Sequence, residues 1–271
     1  KKIPLIEPDI GFKEKKIVNK CLDSKWISSR GNFVKIFEKR FEKILNTKYA
    51  VATSNGTVAL ELALLSLGIK KNDEIIVPNL TFAATANAVL NAGAKLKLCD
   101  VDPDTWNISI ENLKKLITNT TKAIIVVHLY GQPFDIRKLN KILKNKKILI
   151  IEDCAEAIGS HYYNHHVGYY SDAATFSFFG NKTITTGEGG MVLFKNKKNY
   201  NLACKIRNNG MNEIKKYWHD IKGSNFKLTN IQAAIGIAQI DKLNKYVKKK
   251  NLIARNYKKL FNKFKLDIKV P

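Results

Sequence analysis

Acidic residues are scarce: 23 aspartates and glutamates stand against 47 lysines and arginines, for a formal charge of +24. Cysteine is scarce as well. Cys21, Cys99, Cys154 and Cys204 are far apart and form no CxxC pair, which argues against a zinc site or a disulfide framework and for a reducing compartment. No apolar run approaches the ~20 residues of a membrane span, and the opening "KKIPLIEPDIG" is not a signal peptide. A soluble, cytoplasmic protein without a membrane partner is therefore expected. An initiator methionine is also missing, so a shortened chain is expected. Where lysines concentrate, in "KLNKILKNKK" (138–147) and "KYVKKK" (245–250), Tyr246 is the only aromatic. Neither stretch matches a nucleic-acid motif, so no nucleic-acid partner is expected. The charge reads as a solvated helix surface that favours anionic small substrates.

What is present is ordinary in bulk and specific in pattern. Hydrophobic residues at 45% and charged residues at 26% are globular values, and 271 residues can bury a sizeable core. The middle of the chain alternates strand and helix. "YAVATSN" runs into a helix at "GTVALELALLSLG", where Val58, Leu62 and Leu65 share a face. "EIIVPN", "AKLKLCDV", "KAIIVVHLYG" and "KKILIIEDCA" read as strands, separated by helices at "FAATANAVLNAG", "SIENLKKLI" and about 135–144. The continuous apolar strands imply a sheet covered on both faces. "AATFSFF" and "GGMVLF" add two strands, and helices follow at "NYNLACKIRNNG", 230–251 and 253–264. Repeated βαβ units predict an α/β fold with a mostly parallel sheet flanked by helices.

Three features fall at the C-terminal ends of predicted strands, where open α/β sheets hold ligands. In "SNGT" (54–57), Gly56 and Thr57 begin a helix whose free N–H groups and dipole suit a phosphate. An ordinary cap by Ser54 or Asn55 would explain the same residues. Asp153, just past "ILIIE", is placed to meet a cation such as a protonated ring nitrogen, or to cap a helix. Lys182 lies in "SFFGNKTITTGEGG" (177–190), which holds four of the fifteen glycines. Phe176, Phe178 and Phe179 precede it and would desolvate its ammonium, favouring an amine that attacks an aldehyde. The alternative is a solvated loop lysine. A phosphate site, a carboxylate for a pyridinium and a reactive lysine together describe a pyridoxal phosphate site. Phe82 could stack on the ring, and Ser177 could bind the phosphate.

The ordered set "SNGTVAL", "VPNLTFAATANAV", "VHLYGQPFDI", "IEDCAEAIGS", "FSFFGNKTITTGEGGMV" and "TNIQAAIGIAQ" resembles the nucleotide-sugar aminotransferases of the DegT/StrS group, and is most similar to the perosamine-synthase branch. The resemblance implies a fold-type I pyridoxal-phosphate-dependent transferase. Residues 1–240 would form the cofactor-binding domain and 241–271 the start of a small, truncated C-terminal one. It implies that Lys182 holds the cofactor, Asp153 partners the pyridine nitrogen, and Gly56, Thr57 and Ser177 contact the phosphate. Phe82 would lie against the ring and Glu156 near its 3-hydroxyl. Asn225 would reach the phosphate of a neighbouring subunit, implying a homodimer with shared sites. Ser29, Arg30 and His219 match sugar or nucleotide contacts. The implied reaction transfers an amino group from glutamate to a nucleotide-linked 4-keto-6-deoxyhexose. Phe226 and Lys227 replace the Tyr and Arg common in relatives. Sugar dehydratases of the group carry histidine where this chain has Lys182. A different keto sugar, or a non-catalytic cofactor-binding relative, are the competing readings.

Overall fold

The computed structural model describes residues 6–268; residues 1–5, the start of "KKIPLIEPDIG", and 269–271, the end of the expected 241–271 segment, lie outside it. Two helices come first. α1 (Phe12–Asp23) begins at Gly11, whose N–H donates to Glu14 Oε2 at 2.9 Å. α2 (Asn32–Leu45) buries Val34, Phe37, Phe41 and Leu45 along one face and stops at Asn46, where φ of 51° turns the chain left-handed.

The alternation predicted from sequence follows: β1 (Ala50–Thr53), α3 (Gly56–Ser66), β2 (Glu74–Pro78), α4 (Ala84–Asn91), β3 (Lys95–Cys99), α5 (Ile110–Leu116), β4 (Thr121–Val127), α6 (Ile136–Ile142) and β5 (Leu149–Asp153). A small hairpin of β6 (His161–Tyr162) and β7 (His165–His166) leads to β8 (Ala173–Ser177), β9 (Gly190–Phe194), α7 (Lys197–Arg207), α8 (Asn230–Ile240) and α9 (Leu243–Lys263). Helix starts are written into the sequence. Asn55, Ser109, Asp135, Asn196 and Thr229 each accept a backbone N–H from the first turn they precede.

The seven strands of the main sheet run in the order β1-β9-β8-β5-β4-β2-β3. β9 is antiparallel to both neighbours and every other pair is parallel. Six strands therefore end at one edge, and the loops that leave them build the site. α3 packs there with apolar residues all round. Val58, Leu62 and Leu65 join Val51 and Val192, as the shared face predicts, while Leu60 and Leu64 join Ile75 and Ile125. On the other face, α2 and α8 close over β8. Gly236 of α8 lets the helices approach, since a Cβ there would lie 2.7 Å from the Phe37 ring.

Two expectations need correction. The helical stretch 230–251 breaks at Asp241–Lys242, where the Lys242 N–H turns to the Gln239 carbonyl, and there Asp241 pairs with Arg40 of α2 and Lys242 with Glu14 of α1, each at 2.8 Å. The break expected near residue 252 is absent, since no glycine or proline interrupts α9 there. The β6–β7 hairpin was not predicted.

His166 of that hairpin is buried and held neutral: Nε2 accepts the Gly159 N–H at 2.7 Å and Nδ1 donates to the Val167 carbonyl at 2.8 Å. Burial pulls its pKa from 6.5 to about 4. Between those values the unfolded chain takes up a proton that the folded chain refuses. Stability from this group is thus intact above pH 6.5 and falls as pH drops towards 4, by up to about 3 kcal/mol. Urea titrations across that range should show the fall, and His166→Gln should flatten it.

Candidate active site

β1 delivers the chain to a sharp turn at Ser54 and Asn55. The Asn55 side chain caps α3 by accepting the Val58 N–H at 2.9 Å, and the Asn55 carbonyl accepts the Ala59 N–H. The N–H groups of Gly56 and Thr57 keep no acceptor among the described residues. The cap expected at Ser54 or Asn55 is thus made by Asn55, and it leaves the N–H groups of the next two residues for another acceptor. Gly56 is required by contact, since a Cβ there would lie 2.9 Å from Ser177 Cβ and 3.2 Å from its Oγ. Gly56→Ala should push Ser177 away and weaken phosphate binding about tenfold, measurable as inhibition of cofactor uptake by inorganic phosphate. An unchanged inhibition constant would contradict this.

Asp153 ends β5 and is 5% exposed. Its Oδ2 accepts from Thr85 Oγ1 at 2.9 Å and its Oδ1 from the Ala155 N–H at 3.1 Å. Turns rather than a helix follow it, so the helix-cap alternative is set aside. Burial pushes its carboxyl pKa up, opposed by those two hydrogen bonds and by the charge of Lys182. A cation against this carboxylate would restore the ionised form.

Lys182 lies in the irregular loop between β8 and β9, with its N–H on the Phe179 carbonyl. Its Nζ is 3.8 Å from Glu156 Oε1. Glu156 is fixed in turn, its Oε2 accepting the Tyr130 N–H at 2.8 Å. Tyr130 adopts φ of 50°, a left-handed conformation uncommon for a non-glycine residue, and so turns its N–H towards the carboxylate. Behind the sheet, His128 Nδ1 accepts the Phe134 N–H at 3.0 Å, which leaves its Nε2–H for Glu152 at 2.9 Å.

Of the three phenylalanines expected to desolvate Lys182, only Phe179 is near it. Phe176 and Phe178 point the other way and pack edge-on against Phe41 and Phe37. Alternation along β8 is the cause: Phe176 and Phe178 share one face, Ser177 and Phe179 the other.

A cavity of about 550 Å³ gathers Gly56, Thr57, Phe82, Asp153, Glu156, Ser177 and Lys182, with Thr85 in its wall. A second cavity of about 530 Å³, lined by Tyr49, Tyr169 and Lys195, holds none of the predicted residues. Asn225, Ser29, Arg30 and His219 are not at the first cavity. Asn225, Arg30 and His219 are exposed, and Ser29 is half-buried. His219 Nδ1 bonds the Asn209 carbonyl at 2.8 Å. Arg30 stands near enough to Lys227 that burial, then repulsion from Arg30 and Arg207, lowers the Lys227 pKa. Sequence reasoning missed Thr85, Tyr130, His128 and Glu152, all of which sit in quoted motifs.

The donor set fits pyridoxal phosphate: free N–H groups and a hydroxyl for an anion, a buried carboxylate for a ring cation, and an amine in the same cavity. Fold and cavity together define the class, a transferase that works through pyridoxal phosphate. Residues 8–271 match the DegT/DnrJ/EryC1/StrS aminotransferase family, to which this chain belongs. It is a pyridoxal-phosphate-dependent aminotransferase. The chain is 48% identical to the GDP-perosamine synthase of Escherichia coli O157:H7 over 262 residues, covering 97% of this chain and 72% of that relative. It is 43% identical to the GDP-perosamine synthase of Vibrio cholerae over 256 residues, covering 94% of this chain and 70% of the relative. Among solved structures, E. coli GDP-4-keto-6-deoxy-D-mannose-3-dehydratase with bound hydrated PLP superposes with a TM-score of 0.89 at 31% identity, covering 98% of this chain and 73% of that one.

Proposed function

We propose that this aminotransferase converts a GDP-linked 4-keto-6-deoxyhexose to the 4-amino-4,6-dideoxy sugar, with glutamate as amino donor. The observation that carries this reading is similarity to two GDP-perosamine synthases across nearly the whole chain, in a sequence that has lysine at 182. The cofactor, when bound, supplies an aldehyde that exchanges amino groups and a ring that accepts electrons from the attached carbon. The N–H groups of Gly56 and Thr57, the α3 dipole and the Ser177 hydroxyl bind its phosphate. Asp153 keeps the ring nitrogen protonated, held in place by Thr85. Phe82 covers a ring face, and Glu156, steadied by the Tyr130 N–H, orients the 3-hydroxyl. The Lys182 amine would hold the cofactor at its aldehyde and would carry the proton between C4′ of the cofactor and the substrate carbon.

Residues 1–240 serve as the cofactor-binding domain, and 241–271 begin a second, smaller one. Two copies share their sites in this reading. Asn225 reaches the neighbouring copy's phosphate, and Ser29, Arg30 and His219 contact sugar or nucleotide. Three of these four side chains are exposed, and the exposed Trp26, Ile27, Tyr217 and Trp218 flank them in sequence. No helix among the described residues is long and apolar enough to cross a membrane, which suits a cytoplasmic enzyme. A panel of GDP-, dTDP- and UDP-linked 4-keto sugars, each incubated with glutamate and the loaded enzyme, tests the substrate. The aminated mass should appear with the GDP-linked sugar; amination of only the dTDP- or UDP-linked sugars would contradict the assignment.

A further inference from the structure

Beside the loop that carries Lys182, outside the residues that line the cavity, stands a second lysine that the reading above leaves unused. Lys250 lies on α9, two turns after the buried Leu243 and one turn after Val247, on the helix face that packs against the body of the protein. That face is held closely: a Cβ on Gly159 would lie 2.3 Å from Val247 Cγ2. The helix therefore has little freedom where Lys250 leaves it. The Lys250 Nζ donates to Thr183 Oγ1 at 3.0 Å, and Thr183 is the residue after Lys182. Loss of water at its ammonium end lowers the Lys250 pKa, repulsion from Lys182 adds to this, and attraction to Glu156 opposes it. Both the reacting amine and its carboxylate neighbour are thus within electrostatic reach.

No carboxylate lies within ion-pair distance of Lys250 among the described residues; its hydrogen-bond partner is a neutral hydroxyl. Glu156 is already engaged by the Tyr130 N–H and Lys182. Lys250 is exposed as a residue, so its ammonium can be reached from solvent, and without a counter-ion it is free to meet an incoming anion.

We infer that Lys250 binds an anionic group of the substrate whose reacting carbon stands at Lys182. The inference rests on the proposed function. Two sources have the required chemistry, a carboxylate of the amino donor and the diphosphate of the sugar acceptor. They occupy the site in alternate half-reactions, and a cation on a long flexible stem can serve both.

Calorimetric titration of the cofactor-loaded protein tests this with two probes that cannot be aminated: glutarate for the donor carboxylate and GDP for the diphosphate. Lys250→Met should bind at least one probe about tenfold more weakly than the parent, and Lys250→Arg should recover most of the loss. Loss for glutarate alone assigns the donor carboxylate, for GDP alone the diphosphate, and for both a shared anion site. Turnover should follow as a raised KM with kcat within about twofold. An unchanged cofactor absorbance in Lys250→Met shows that the variant is folded and loaded. Equal affinity of that variant and the parent for both probes overturns the inference while leaving cofactor uptake and the sugar panel untouched. A parent protein that takes up no cofactor overturns the proposed function itself.

Discussion

Lys182→Ala should lose all measurable turnover and the long-wavelength absorbance of the cofactor, while its phosphate affinity persists in part. The reasoning is local. Nζ of Lys182 faces Glu156 at 3.8 Å inside the cavity that Asp153, Gly56 and Ser177 also line. In the proposed mechanism this amine is both the anchor and the group that carries the proton, so its removal takes away both. Lys250 is the nearest candidate to substitute, yet its Nζ is tied to Thr183. Since α3 and Ser177 are untouched, the variant should still retain cofactor by its phosphate. Activity within tenfold of the parent would show that the amine at 182 is not the reacting one.

Asp153→Asn should keep the cofactor bound and slow the reaction by about 100- to 1,000-fold, the range found when one preorganised electrostatic group is removed. Asparagine has the shape of aspartate and can still meet Thr85 and the Ala155 N–H. What it lacks is charge. A neutral amide cannot hold the ring nitrogen protonated, so electrons released at the substrate carbon have a poorer acceptor. Rapid mixing with glutamate isolates the step, because cofactor conversion is then followed before any sugar is added. An unchanged rate of conversion would remove Asp153 from the mechanism.

Much of the architecture could be read from the sequence because its signals were local. The apolar runs of β4 and β5 declared a sheet covered on both faces, and Asp153 and Gly56 stood where such strands end. The direction of β9 was not legible, since a strand's composition does not say which way it runs. Partners from elsewhere in the chain were also hidden. Thr85 reaches Asp153 across 68 residues of sequence, and nothing in "FAATANAV" marks it as more than a helical threonine. The Tyr130 contact with Glu156 depends on a left-handed tyrosine, which sequence patterns rarely announce. The misplacement of Phe176 and Phe178 was avoidable. Period-two alternation along β8 sends them opposite to Ser177, and burial in the Phe37–Phe41 cluster follows from that.

The most direct test is to locate the lysine that holds the cofactor. The protein is loaded with pyridoxal phosphate, reduced with borohydride so that the cofactor stays on the amine that bound it, digested, and mapped by mass spectrometry. With 42 lysines in the chain, chance labelling would scatter over many peptides. The label should appear on one peptide, at Lys182. A label on another lysine, or spread across the surface with Lys182 unmodified, would contradict the site and everything built on it.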